Sequence, residues 1–119
     1  MEAKKKILIV DDDEGIRLVY QEELEIEGFA VETAMNGDQA LEKFKTAPPD
    51  LVILDINMPG MNGIEVLRQM KEVNASLPVI LSSAYPEYKQ DFGAWASDEY
   101  IVKSVNMDDL KAAVHKHLD

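Results

Sequence analysis

Several features are missing from this chain of 119 residues, and each absence excludes a class of protein. There is no cysteine, so disulfide bonds and thiolate chemistry are excluded, as is common for proteins of the reducing cytosol. No apolar run approaches the length that crosses a membrane. Lysines 4–6 are followed by only four apolar residues before an acidic run, so no signal peptide is predicted. We therefore expect a cytoplasmic protein.

Basic residues are also scarce. The chain has 12 Lys and Arg against 23 Asp and Glu, and a formal net charge of -11. Such a charge repels nucleic-acid phosphates and anionic lipid heads, so neither nucleic acid nor a membrane is expected as a direct partner. The hydrophobic fraction of 46% is typical of a globular protein, and the length suits one domain, which we place at 1–119.

The distribution of apolar residues predicts alternating strands and helices. Uninterrupted apolar runs predict buried strands at 7–10, 51–54, 79–81 and 100–102, and partial alternation at 29–34 predicts an edge strand. Three- and four-residue spacing predicts helices within 16–24, 40–44, 64–70 and 107–118, with a weaker one at 86–95. Asp13 and Asn106 are expected N-caps, and Gly28 is expected to end the first helix. This alternation predicts an α/β fold with a parallel sheet and helices on both faces.

Polar residues follow the predicted strands at their carboxyl ends, where open parallel sheets bind ligands. Asp11 and Asp12 follow the first strand, Asp55 ends the third, Ser82 and Ser83 end the fourth and Lys103 ends the last. Each residue alone has an ordinary structural explanation as a cap, a turn residue or a solvated charge. Their joint occurrence at one edge of one sheet instead indicates a site.

Three clustered carboxylates require a compensating cation. The donors are oxygens, without His or Cys nearby in sequence, and such donors favour Mg²⁺. Magnesium, the Lys103 ammonium and the Ser83 hydroxyl could each take one phosphoryl oxygen, which leaves Asp55 as the nucleophile. A Gly-rich phosphate loop is absent, so we expect the phosphoryl group to arrive on a partner protein.

Segments 7–12, 51–63, 82–84 and 100–103 together resemble the receiver domains of two-component response regulators. The resemblance covers the whole chain. It implies a flavodoxin-like, doubly wound sheet of five parallel strands in the order 2-1-3-4-5, with about five helices.

The resemblance also implies a role for each site residue. Asp55 would take a phosphoryl group from a phosphohistidine on a sensor histidine kinase or a histidine phosphotransfer protein. Asp12, Asp55 and the Asn57 backbone carbonyl would hold Mg²⁺, and Asp11 would act through a water molecule.

The implied switch acts after phosphorylation. Ser83 and Lys103 would move towards the phosphoryl group, and Tyr100 would turn inward and change the face read by an effector domain or output protein. The family usually has proline after the lysine, whereas this chain has Ser104. We expect a trans bond before Ser104, because a cis bond before a non-proline residue costs about 2.5 to 4 kcal/mol.

Two other functions are compatible with parts of the pattern. A phosphatase of the haloacid-dehalogenase type also uses an aspartate nucleophile with magnesium, but it needs an acid where this chain has Asn57. A degenerate receiver could be a binding module that is independent of phosphorylation, but Asp11, Asp12, Asp55, Ser83 and Lys103 are all present. We therefore expect a signalling domain and not an enzyme.

Overall fold

The computed structural model describes residues 4–56, 63–83, 99–102 and 107–118, without the side chains of residues 99, 100 and 102. The strands are β1 (Lys6–Val10), β2 (Ala30–Ala34), β3 (Leu51–Asp55), β4 (Val79–Ser83) and β5 (Glu99–Val102). The helices are α1 (Glu14–Ile26), α2 (Gly37–Thr46), α3 (Gly63–Val73) and α4 (Asp108–Leu118). The weaker helix expected at 86–95 and the cap expected at Asn106 lie outside the described residues.

All strand pairings are parallel, and the sheet order is β2-β1-β3-β4-β5. This is the order implied by the resemblance, and β2 is an edge strand as its partial alternation predicted. The central strands β3 and β4 are buried along their whole length, because helices cover both faces of the sheet.

Alternate residues of β1, β3 and β4 contribute to two separate apolar cores. One core contains Leu8, Leu54 and Leu81 from the sheet and is covered by α2 and α3. The opposite core contains Ile53 and Ile80 from the sheet and is covered by α1 and α4. The position of a strand residue in this alternation therefore determines which of the two cores its side chain faces.

Local signals set the ends of the first two helices. Asp13 is the N-cap of α1, and one of its carboxylate oxygens accepts a hydrogen bond from the Ile16 backbone N–H at 3.2 Å. Gly28 follows this helix with a φ of 100°, a conformation that favours glycine. Asn36 caps α2, and its side chain accepts from the Gln39 N–H at 2.8 Å. The Asn36 cap was not predicted from the sequence.

None of the described helices is both long enough and apolar enough to cross a membrane.

Candidate functional site

Three aspartates converge at the carboxyl ends of β1 and β3. One carboxylate oxygen each from Asp11, Asp12 and Asp55 lies within 4.8 Å of the other two. Asp11 and Asp55 are buried, with 2% and 3% of their surface exposed, whereas Asp12 is exposed. The pairing of Val10 with Leu54 places the first and third strands so that these acids end side by side. The structure therefore brings together the acids that the sequence predicted to meet.

Hydrogen bonds fix the loop between β1 and α1 around Asp11. One carboxylate oxygen of Asp11 accepts from the Asp13 backbone N–H at 2.9 Å. The Asp11 backbone carbonyl accepts from Nη1 of Arg17 at 2.7 Å, and its N–H donates to the Ala34 carbonyl at 3.1 Å. The position of Asp11 is thus set by β2 and by the first turns of α1. The contact of Arg17 with this loop was not predicted from the sequence.

Helix α3 begins against the backbone that carries Asp55. The Gly63 N–H donates to the Ile56 carbonyl at 2.7 Å. A Cβ atom at position 63 would lie 2.2 Å from the Asp55 carbonyl oxygen and 2.7 Å from the Ile56 Cα. Only glycine permits this approach, so Gly63 helps to set the position of Asp55. This requirement was also missed from the sequence.

Strand β4 supplies two buried serines beside Asp55. Ser82 pairs with Asp55 in the sheet, and the Ser82 carbonyl accepts from the Ile56 N–H at 3.2 Å. Ser83, the expected phosphoryl-stabilising residue, follows it at the end of the strand and is fully buried. The carboxyl end of β4 therefore lies next to the acidic cluster.

The remaining predicted site residues lie wholly or partly outside the part of the chain that the structure describes. Asn57, Lys103 and Ser104 lie outside the described residues, and so does the bond expected to be trans before Ser104. The Tyr100 backbone belongs to β5 and pairs with Leu81, while its side chain is outside the described part.

The electrostatics of the cluster favour a bound cation. Two unit charges 4.8 Å apart repel by about 3 kcal/mol at an effective dielectric constant of 20. A divalent cation among the three carboxylates reverses this repulsion, and an all-oxygen donor set suits a hard ion. Asp11, Asp12 and Asp55 would hold it. The residues present therefore fit Mg²⁺.

Comparison with known proteins identifies the family of this chain. A family model described as the response regulator receiver domain matches residues 7–115. The chain belongs to this family. It is accordingly a receiver domain of two-component response regulators, a family of signalling domains.

Known receiver proteins resemble this receiver domain along nearly its whole length. Sporulation initiation phosphotransferase F of Bacillus subtilis is 40% identical over 116 residues, which cover 96% of this chain and 94% of that protein. Regulatory protein AtoC of Escherichia coli is 36% identical, but the chain spans only 26% of its length. Some relatives are thus single receivers, and others contain much more than the part matched here.

Solved structures agree with this assignment. The response regulator TrrA of Thermotoga maritima, solved in complex with Mg²⁺-BeF, is 48% identical with a TM-score of 0.93, and the match covers 96% of this chain and 99% of that one. TrrA was also solved in complex with the histidine kinase ThkA, and that match has a TM-score of 0.91 over 97% of this chain and 99% of TrrA. The flavodoxin-like α/β fold of the receiver domain is therefore shared with TrrA.

Proposed function

We propose that this receiver domain is a signalling switch in which Asp55 accepts a phosphoryl group from a phosphohistidine of a partner protein. The observation that carries the proposal is the burial of Asp55 at the carboxyl end of a central strand, with Asp11 and Asp12 close by. The domain spans 1–119.

The transfer exchanges one bond for another. The bond between the partner's imidazole nitrogen and phosphorus breaks, and a bond forms between a carboxylate oxygen of Asp55 and phosphorus. The imidazole nitrogen keeps the electron pair of the broken bond and takes up a proton. The transferred group passes through a charged transition state, so positioning and charge neutralisation supply most of the catalysis.

The acidic cluster would hold magnesium through Asp12, Asp55 and the Asn57 backbone carbonyl, with Asp11 acting through a water molecule. When bound, Mg²⁺ neutralises charge on the phosphoryl oxygens. The loop around Asp11 supports this role, because the Asp13 N–H donates to the Asp11 carboxylate and Arg17 donates to the Asp11 backbone carbonyl, which together fix this residue.

The remaining residues respond to the new charge. A phosphoryl group adds a charge of about -1.5 to -2. Lys103 and the Ser83 hydroxyl would stabilise it, and Tyr100 would turn inward, as the family resemblance implies. The result is a two-state switch that a local charge event biases.

The partners follow from this chemistry. The donor is a sensor histidine kinase or a histidine phosphotransfer protein, and the complex of TrrA with a histidine kinase supports a partner of this class. The output is an effector domain or a separate protein. The domain acts in the cytoplasm and promotes its own phosphorylation and dephosphorylation without turning over a separate substrate.

The proposal is tested by labelling with acetyl phosphate in the presence of Mg²⁺, followed by intact-mass measurement and peptide mapping. Wild type is expected to gain one phosphoryl group, and Asp55→Asn is expected to gain none. Asp38→Asn is the matched control, because Asp38 is an exposed acid in the first turn of α2. Labelling of Asp55→Asn at the wild-type level, or phosphate on another residue, would refute the assignment.

A further inference from the structure

The Ser82 side chain has a buried hydroxyl that its structural role does not explain. Ser82 is 1% exposed, and its Oγ has no hydrogen-bond partner. Among the described residues it is the only buried side-chain nitrogen or oxygen atom in this condition. A buried hydroxyl without a partner destabilises the folded state, so its presence calls for a specific explanation.

The alternation of the strands places Ser82 on the same face of the sheet as Asp55. Leu54 and Leu81 belong to the core under α2 and α3, so the residue after each of them points to the opposite face. Those two residues are Asp55 and Ser82, and they are direct partners across β3 and β4.

Among the described residues that neighbour Ser82 on this face of the sheet, only Asp55 is polar. On the β5 side, Ser82 pairs with Ile101, which packs against the core under α1 and α4. Two residues earlier on the same face lies Ile80, which is fully buried. Among the described residues beside Ser82 in the sheet, only Asp55 has a side chain that could accept a hydrogen bond from this hydroxyl.

The general spacing of neighbouring strands allows a contact between these two side chains once Asp55 is phosphorylated. Adjacent strands lie about 4.8 Å apart, and rotation about χ1 moves a serine Oγ among three staggered positions. A phosphoryl group lengthens the Asp55 side chain and adds anionic acceptor oxygens. A hydroxyl-to-anion hydrogen bond is stronger than one between neutral groups.

We propose that the Ser82 hydroxyl donates a hydrogen bond to an oxygen of the phosphorylated Asp55 side chain. This inference rests on the proposed function. The role is distinct from that of Ser83, which points to the opposite face and is the residue expected from the family resemblance. The unsatisfied hydroxyl of the unmodified protein becomes satisfied in the phosphorylated one, so Ser82 biases the switch towards the phosphorylated state.

The test compares wild type with Ser82→Ala in the whole chain, with beryllium fluoride and saturating Mg²⁺ as the phosphoryl probe. Isothermal titration calorimetry is expected to show about a tenfold weaker affinity for beryllium fluoride in Ser82→Ala, which corresponds to about 1.4 kcal/mol. Magnesium affinity should stay within about twofold of wild type. Without beryllium fluoride, the melting temperature of Ser82→Ala should equal or exceed that of wild type, because no hydrogen bond is lost.

A second pair of variants controls for side-chain volume. Ser82→Thr keeps the hydroxyl and Ser82→Val replaces it with a methyl group, while both add the same branch to a strand position. The affinity for beryllium fluoride should be higher in Ser82→Thr than in Ser82→Val by a similar factor.

Three results would overturn the inference. One is a beryllium fluoride affinity within twofold of wild type in Ser82→Ala. Another is a lower melting temperature of this variant without the probe, which would mean that a water molecule already satisfies the hydroxyl. The third is an equal loss of magnesium affinity. If wild type itself fails to bind beryllium fluoride, both the proposed function and the role of Ser82 are refuted. If wild type binds it and Ser82→Ala binds it equally well, only the role of Ser82 is refuted.

Discussion

Replacement of Gly63 by alanine should damage both the fold and the site, and the size of the effect follows from the backbone contact at the start of α3. The new Cβ would lie 2.2 Å from the Asp55 carbonyl oxygen, whereas real Cβ contacts are essentially never below 3.0 Å. The start of α3 or the end of β3 must therefore shift by most of an ångström. Overpacking of this kind costs about 1 to 3 kcal/mol. Loss of the hydrogen bond from the Gly63 N–H to the Ile56 carbonyl, 2.7 Å long, adds about 1 kcal/mol.

The expected total loss is about 2 to 4 kcal/mol of unfolding free energy, measured by urea denaturation without ligand. The shift also displaces the backbone that carries Asp55. A misplacement of about 1 Å can lower a positioned reaction by about a hundredfold. We therefore expect beryllium fluoride affinity, measured with Mg²⁺ on the folded protein, to fall by at least about tenfold.

Gly28→Ala is the matched control for this prediction. Gly28 has a φ of 100°, and a Cβ atom there would meet nothing within 4 Å. Alanine in this conformation costs about 1 to 2 kcal/mol. Stability should therefore fall, while beryllium fluoride affinity should remain at the wild-type value. The reasoning fails if Gly63→Ala binds beryllium fluoride like wild type, or if both glycine variants lose affinity equally.

Three further predictions concern single side chains. Asp12→Ala should weaken magnesium binding at least about tenfold. It should also raise the stability of the metal-free protein by about 1 kcal/mol, because it removes one of three close negative charges. Thermal melts with chelator and with Mg²⁺ measure both effects, and a metal-free variant less stable than wild type would contradict the repulsion argument. The hydrogen bond and ion pair with Lys6 lower the pKa of Glu32 from 4.5. This half-exposed pair contributes about 0 to 1 kcal/mol to the stability of the folded protein. The contribution is present above pH 4.5 and is lost as pH falls through the lowered pKa. Urea denaturation should therefore separate Glu32→Gln from wild type more near pH 7 than in acid, with the difference shrinking as pH falls, and a difference that does not depend on pH would exclude this linkage. Asn36→Ala removes the hydrogen bond that the Asn36 side chain accepts from the Gln39 N–H, and urea denaturation should show a loss of about 1 kcal/mol in unfolding free energy. The affinity for beryllium fluoride should not change. Unchanged stability would show that this N-cap contributes nothing.

The sequence predicted those features that depend on neighbouring residues. The apolar run at 51–54 was enough to place β3, because a strand covered on both faces needs apolar side chains in both directions. Gly28 and Asp13 gave the ends of α1, because a positive φ and an N-cap each favour a few residue types. The Asn36 cap could have been found from the glutamine three residues later, whose side chain accepts from the Met35 N–H at 2.8 Å.

The convergence of the acids was also predictable, although it involves distant parts of the chain. A parallel sheet brings the carboxyl ends of its strands to one edge, so the topology alone assigns Asp11, Asp12 and Asp55 to the same region. The contacts of Gly63 and Arg17 did not follow from that rule. Each depends on the approach of a helix to within a few ångströms of a particular backbone carbonyl, and no periodicity in the sequence encodes such a distance.

The two serines of β4 show most clearly what strand register adds to sequence reasoning. Ser82 and Ser83 are chemically identical and adjacent, and from the sequence alone either could face the phosphorylation site. Successive strand residues point to opposite faces, so only one of them can share the face of Asp55 within the sheet. The pairing of β3 with β4 assigns that position to Ser82, while Ser83 is the last residue of the strand. If both hydroxyls bind the phosphorylated Asp55 side chain, we expect their losses to be non-additive, because the two residues are adjacent and share the phosphoryl group as a partner. Beryllium fluoride titration of Ser82→Ala, Ser83→Ala and the double variant would measure this, and a double variant no weaker than Ser83→Ala would show that Ser82 contributes nothing of its own.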